Sequence, residues 1–290
     1  MKDKKKKKSS PFKWKVMVVQ ILKTIFVTVA VIFTIYPVIY TIVGSFKTNA
    51  ELTLGADFWP SSWQVENYYR AFVEADFLRY SLNSLIVAAS VTTLAMMTSS
   101  LSGFILARRN FWGKKLLISL YLSMMFVSLG AIKLYPIYQM MRSLNLHKSL
   151  IALILTLTGG QAANVFLVMG FTRSIPTQLD EAAIIDGCSI FQVYYRIILP
   201  LSKPILGVVA LFAFRNAWND YIAGLIMTIG APQLKPLTVA VVQLKYSVNA
   251  AAEWHIMLAG AAIAIIPILL VYSFASRHFI SGLTAGALKG

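Results

Sequence analysis

Six stretches of this chain are predominantly apolar for close to the length of a membrane crossing, and no other property constrains its fold as tightly. They run over about 16–45, 82–107, 116 to just before 133, 150–171, 204–229 and 254–276. A helix rises ~1.5 Å per residue, so about 20 such residues span the ~30 Å hydrocarbon layer. The runs are continuous rather than alternating. They therefore predict helices and not barrel strands. Charged residues make up 13% of the chain, against about 25% in soluble domains. The expected fold is an all-α membrane protein with six transmembrane helices. The first run is longer than a signal-peptide core, and no small-residue cleavage pattern follows it, so it is expected to remain as a span.

The net charge of +16 is unevenly placed. Eight lysines precede or open the first run (Lys2, Lys4, Lys5, Lys6, Lys7, Lys8, Lys13 and Lys15). A basic tail over 1–15 in such a chain reads as an orientation signal that touches anionic lipid, not as a nucleic-acid surface. With the N-terminus inside, the inner segments hold 17 Lys and Arg and the outer segments hold 8, while Lys23 and Arg215 lie within spans. Both termini are then cytoplasmic. The stretch "LYPIYQMMRSLNL" reads as an amphipathic piece at the outer surface, and "FWPSSWQVENYYRAF" as a helical cap in the first outer loop. Gly159-Gly160 is expected to permit close helix packing. Cys188 is the single cysteine, so no disulfide forms within the chain. Three scattered histidines give no metal spacing, and there is no GxxxxGK[ST] or GxGxxG loop. No cofactor is expected on this chain.

Between the fourth and fifth runs lies "EAAIIDGCSIFQVYYRIILPLSKP". Pro176 fits a helix start, with Asp180 and Glu181 near the positive end of the helix dipole. Ala182, Ala183, Ile184 and Ile185 continue that helix, and Gly187 can close it in the left-handed conformation. A second apolar face follows over 190–198, and Pro200 and Pro204 break it before the fifth run. A bare connection needs only a few residues. A structured elbow on the cytoplasmic side points to a docking surface, the alternative being a plain interfacial elbow.

This stretch resembles the EAA signature, EAA-x3-G-x9-I-x-LP, of importer-type ABC transporter permease subunits, with Glu181, Ala182, Ala183, Gly187, Ile197, Leu199 and Pro200 falling on it. "NSLIVA", "WNDY" and the C-terminal "GLTAGALKG" resemble the maltose-type sugar permeases. The resemblance covers nearly the whole chain from about residue 17. It implies a type I importer permease (MetI-like) fold over 16–281, with a coupling loop at 173–203 and a cytoplasmic tail at 282–290. It further implies a bacterial cytoplasmic membrane protein that pairs with a second related permease, two cytoplasmic ATPases holding ATP and magnesium, and an extracytoplasmic solute-binding protein. Glu181, Ala182, Ala183, Asp186, Gly187, Leu199, Pro200, Gly286 and Lys289 would then serve ATPase coupling, and the chain itself would have no catalytic residues.

The fifth run carries a polar interruption, "FRNAWNDYIAG". Arg215 and Asn219 are four apart, as are Asn216 and Asp220, and both pairs are expected on one helical face turned from lipid. That face either lines a solute path or forms a polar network, within the chain through Arg215–Asp220 or between subunits. In the first reading Trp218 or Tyr221 stacks on a sugar ring, and Asn219 or Asp220 bonds its hydroxyls. The resulting expectation is half of a carbohydrate importer. A permease for another solute and an ion-coupled secondary transporter are the alternatives.

Overall fold

The computed structural model describes residues 11–55, 57–74, 76–127, 129–246 and 252–287. Among these the regular structure is helical throughout. The helices are α1 (Pro11–Gly44), α2 (Asn49–Thr53), α3 (Glu66–Glu74), α4 (Phe77–Arg108), α5 (Lys114–Phe126), α6 (Leu134–Ser143), α7 (Leu150–Thr158) and α8 (Ala162–Ser174). They continue with α9 (Gln178–Ile185), α10 (Ile190–Val193), α11 (Leu199–Leu201), α12 (Lys203–Asn219), α13 (Ile222–Met227), α14 (Leu237–Gln243) and α15 (Trp254–Ala287).

Three helices are individually long and apolar enough to cross a membrane: α1 from Val16, α4, and α15 as far as Ser273. Two bent pairs bring the number of candidate spans to five, α7 with α8 at 51° and the α10–α11 segment with α12 at 76°. The third apolar run is shorter as a helix than its composition predicts. α5 has 13 residues, or ~20 Å of rise. The fourth run is interrupted at Gly159-Gly160, where Gly160 has φ +78°, so these glycines make a bend rather than a packing seam. The fifth run is broken at Asp220, whose backbone is extended. The sixth continues as helix to Ala287.

α4 is the central helix, packed against α8 and α12, with α7 and α14 also against it. Its buried positions are mostly small: Ser84, Ala88, Ala95, Ser99, Ser100 and Gly103. Small residues let helix backbones approach closely where lipid offers no hydrophobic drive to associate. At Gly103 a Cβ would stand 2.8 Å from Val168 of α8, which is itself buried. α15 packs on α12 and α3. α1 is exposed on every side from Val16 through Tyr40 and is buried near its end, at Val43 and Gly44.

The loop after α1 is folded. Thr48 and Glu51 form a capping box at α2. Ser61 donates from its N–H and its hydroxyl to the Glu51 carboxylate. Those bonds, the Ser61 hydroxyl foremost, hold the Glu51 carboxyl down at about 2. Asn49 joins this loop to the start of α15 by bonding Ala252 and Trp254, and Arg70 pairs with Glu253 at 3.1 Å. Lys245 lies 3.8 Å over the Trp254 ring. The helical cap expected here is α3 alone. α6 packs Leu134 and Met141 into the main core, so it is held by protein on that face.

Gly103→Leu should lower the melting temperature of the purified protein, equivalent to ~1–3 kcal/mol of overpacking. An unchanged transition would show that α4 and α8 do not meet there. Because the Glu51 pKa is depressed in the fold, its contribution is complete above the ordinary value of 4.5 and is lost as pH falls toward about 2. Serine protection of the loop from proteolysis should fade over that window, and Glu51→Gln should remove the pH dependence.

Candidate functional site: the elbow between α8 and α12

α9 begins one residue after Thr177 and carries Asp180 and Glu181 in its first turn, where the helix dipole favours negative charge. It ends by a complete backbone closure. The N–H of Gly187 donates to Ile184 at 3.0 Å and that of Cys188 to Ala183 at 2.9 Å. These two bonds are the Schellman arrangement, which needs a left-handed residue at Gly187; its φ is +85°. Ser189 then opens α10 with a capping box to Gln192. The end of α9 and the start of α10 are thus closed by the elbow's own residues.

The next turn is widened. Tyr194–Ile198 is a π-helical segment, and Leu199 donates back to Tyr194. Pro200 explains the widening: it has no N–H to give Arg196, and its ring would press on that carbonyl in a regular α-turn. Leu199 and Pro200 thereby set where the elbow swings into α12 at 76°.

The elbow is bound to α4 rather than hung between spans. Arg108, at the end of α4, approaches Asp180 at 2.7 Å, an ion-pair distance. The Nε–H is not aligned on the carboxylate, so the contact is one of charge rather than a hydrogen bond. Arg108 also donates to the Ile175 carbonyl at 2.8 Å. Burial raises the Asp180 carboxyl above its ordinary range, and the Arg108 charge opposes that rise without cancelling it. Ser100 of α4 bonds the Tyr194 hydroxyl at 2.7 Å. Phe104, Ile175, Ala183, Val193 and Ile198 close an apolar core beneath the elbow.

Ala183 is therefore a core residue, whereas Glu181, Ala182, Asp186 and Gly187 are exposed. The outer face also exposes apolar side chains, with Ile185 at 85% and Phe191 at 68%. Glu181 lines a cavity of about 200 Å³ with Arg108, Arg109, Asp180 and Ile184. Gly286 lies within α15, not in a free tail, and Lys289 is outside the described residues. Residue reading missed the Arg108–Asp180 contact because Arg108 served there only as an orientation charge.

The polar patch of the fifth run is divided by the break in the helix. Arg215 and Asn216 line a cavity of about 280 Å³ beside the α7–α8 bend. Asp220 lies beyond the end of α12, so it does not continue a helical face with Asn216. Its carboxylate accepts the Gly224 N–H at 2.8 Å and its carbonyl accepts from Thr238 at 2.6 Å, which makes it the stitch across the break. The expected Arg215–Asp220 ion pair does not form. Trp218 is buried at 3%, stacked on Phe214, and so is closed to a sugar ring. Asn219 is exposed and Tyr221 half-buried. Gln161 and Asn164, which line the same cavity, were not singled out from sequence because they sit in an apolar run.

Residues 99–284 match the family described as the binding-protein-dependent transport system inner membrane component. The chain belongs to this family. It is a multi-pass inner-membrane permease subunit of a binding-protein-dependent ABC importer, working with an ATPase and a binding protein and having no ATPase activity of its own. It is 32% identical over 271 residues to the sulfoquinovosyl glycerol transport system permease protein SmoH of Agrobacterium fabrum, covering 93% of this chain and 94% of that one. It is 31% identical over 277 residues to the maltodextrin transport system permease protein MdxG of Bacillus subtilis, covering 94% and 98%. Its fold is similar to a chain of a bacterial ABC transporter importing the acidic polysaccharide alginate, at TM-score 0.78 and 20% identity, covering 94% of this chain and 100% of that one. The secondary-transporter alternative is set aside by this membership.

Asp180→Ala should strand the Arg108 charge, at a cost up to the ~3–5 kcal/mol of a fully buried pair. Hydrogen exchange over 176–188 should then accelerate. Unchanged exchange there would show that the contact does not anchor the elbow.

Proposed function

We propose that this chain forms half of the pore of a carbohydrate importer, beside a second related permease, and that the elbow is its contact with one of two cytoplasmic ATPases. The single observation carrying the ATPase contact is the elbow itself: a closed, anchored helix end that exposes Ile185 and Phe191 on its outer face. A rigid body of this kind transmits a push, where a flexible loop would absorb it. Glu181, Ala182, Asp186 and Gly187 form the exposed contact. Ala183, Leu199 and Pro200 hold its shape. ATP and magnesium act on the partner ATPase, and no cofactor is needed here.

In this reading both termini are cytoplasmic, as the 17-to-8 distribution of Lys and Arg supports. Six crossings result when α5 and the chain following it complete the third, and each bent pair counts as one. α15 has 34 residues, or ~51 Å of rise, so its last turns extend past the bilayer toward the ATPases. In this reading Gly286, in the last turn of that helix, lies near them. The carbohydrate assignment rests on the relatives named for sugar transport and on the "WNDY" and C-terminal stretches.

Ile185→Asp should reduce co-purification of the ATPases at least tenfold while the chain still reaches the membrane. Glu181→Lys should impair transport similarly. Retained association and uptake in both would remove the elbow from the ATPase contact. A solute-binding protein that bound only amino acids or peptides would replace the carbohydrate assignment.

A further inference from the structure

Gly159-Gly160 interrupts α7 and α8 beside a cavity of about 280 Å³, near the lower end of the small-ligand range of ~300–1,000 Å³. Arg215 lies 12 residues beyond Lys203 and Asn164 lies 10 before Ser174, which is ~18 Å and ~15 Å of helix. With Lys203 and Ser174 taken as the inner edge of the bilayer, both sit near the middle of a ~30 Å layer. Broken backbone at that depth is tolerated only inside protein or along a water-filled cavity. This one is lined by Gly160, Gln161, Asn164, Phe212, Arg215 and Asn216.

The charge of the cavity has one sign. Among the described residues Arg215 makes no ion pair, and its hydrogen bond is a long one of 3.4 Å to Asn216. The Asp220 carboxylate is turned to Gly224 instead. α8, a 13-residue helix, starts at Ala162 on the cavity's edge. Its free N–H groups and positive dipole end add to the guanidinium. Gln161 and Asn164 bond each other at 2.5 Å and supply neutral amides beside that charge. Arg215 and Asn216 are exposed where they line the cavity. A sugar hydroxyl offers the guanidinium a neutral bond, whereas a carboxylate accepts a paired, charge-assisted bond of roughly twice the strength.

We propose that this cavity is a station on the solute path that takes an acidic carbohydrate, with Arg215 pairing its carboxylate and the Gln161, Asn164 and Asn216 amides bonding its hydroxyls. The proposal rests on the carbohydrate-importer reading above. The complete importer with its binding protein, in proteoliposomes, is offered trimers of galacturonate, glucuronate, mannuronate and guluronate. Each is paired with its carboxyl-reduced neutral form, and ATP hydrolysis is read. At least one acidic trimer should stimulate turnover tenfold more than its neutral form. Arg215→Gln should bring that ratio below threefold, and Arg215→Lys should keep most of it. The binding protein is unchanged between variants, so a shift in ratio belongs to this chain. Equal stimulation by acidic and neutral trimers, or a ratio that survives Arg215→Gln, overturns the proposal and leaves the importer reading standing. Separation of the two permeases by Arg215→Gln on gel filtration assigns the guanidinium to their interface and also overturns it. If the assembled complex responds to no carbohydrate at all, the carbohydrate reading falls and this inference falls with it.

Discussion

In hydrocarbon no water is present to bond a free N–H or C=O, so the chain must satisfy its backbone from within. That constraint explains both the helices and their interruptions. α1, α4 and α15 satisfy it as long helices, except where Pro37 and Pro267 remove a donor. At two breaks within apolar runs, something specific covers the gap. At Asp220 the carboxylate caps α13 and the carbonyl takes the Thr238 hydroxyl. At Gly159-Gly160 the gap opens on a cavity with polar lining. The departures from regular helix are therefore the places where the chain has polar work to perform.

The elbow obeys the same rule from outside the spans. Its free backbone groups are closed by the Gly187 and Cys188 bonds and by the Ser189 capping box. Its apolar underside is buried on Phe104 and Ile175, and the Arg108 charge fixes it to the end of α4. Movement of α9 must then carry α4, and α4 touches α8 and α12, which flank the polar cavity. In the proposed reading, a push received at Ile185 reaches the cavity beside Arg215 through one packed helix.

Much of this was legible in the residues. Predominantly apolar runs identified the long helices, and Pro176, Gly187 and Pro200 marked the limits of the elbow through their own backbone chemistry. The breaks were less visible. Gly159-Gly160 has the same composition whether it packs against a neighbour or bends a helix. The four-residue spacing of Asn216 and Asp220 implies a shared face only if the helix continues, and it stops at Asn219. Trp218 between polar residues looked available, yet three-dimensional packing puts it against Phe214. The Arg108–Asp180 contact joins residues 72 positions apart, and a spacing argument has no access to it.

In the proposed assembly a rigid elbow with Ile185 at its exposed tip seats on an ATPase. Cys188 is the only cysteine, so Ile185→Cys with Cys188→Ser gives a unique thiol at that tip. The measurement is its labelling rate by a water-soluble maleimide, with and without the ATPase subunits. The account predicts at least tenfold protection on assembly. Equal rates in the free and assembled states would contradict it.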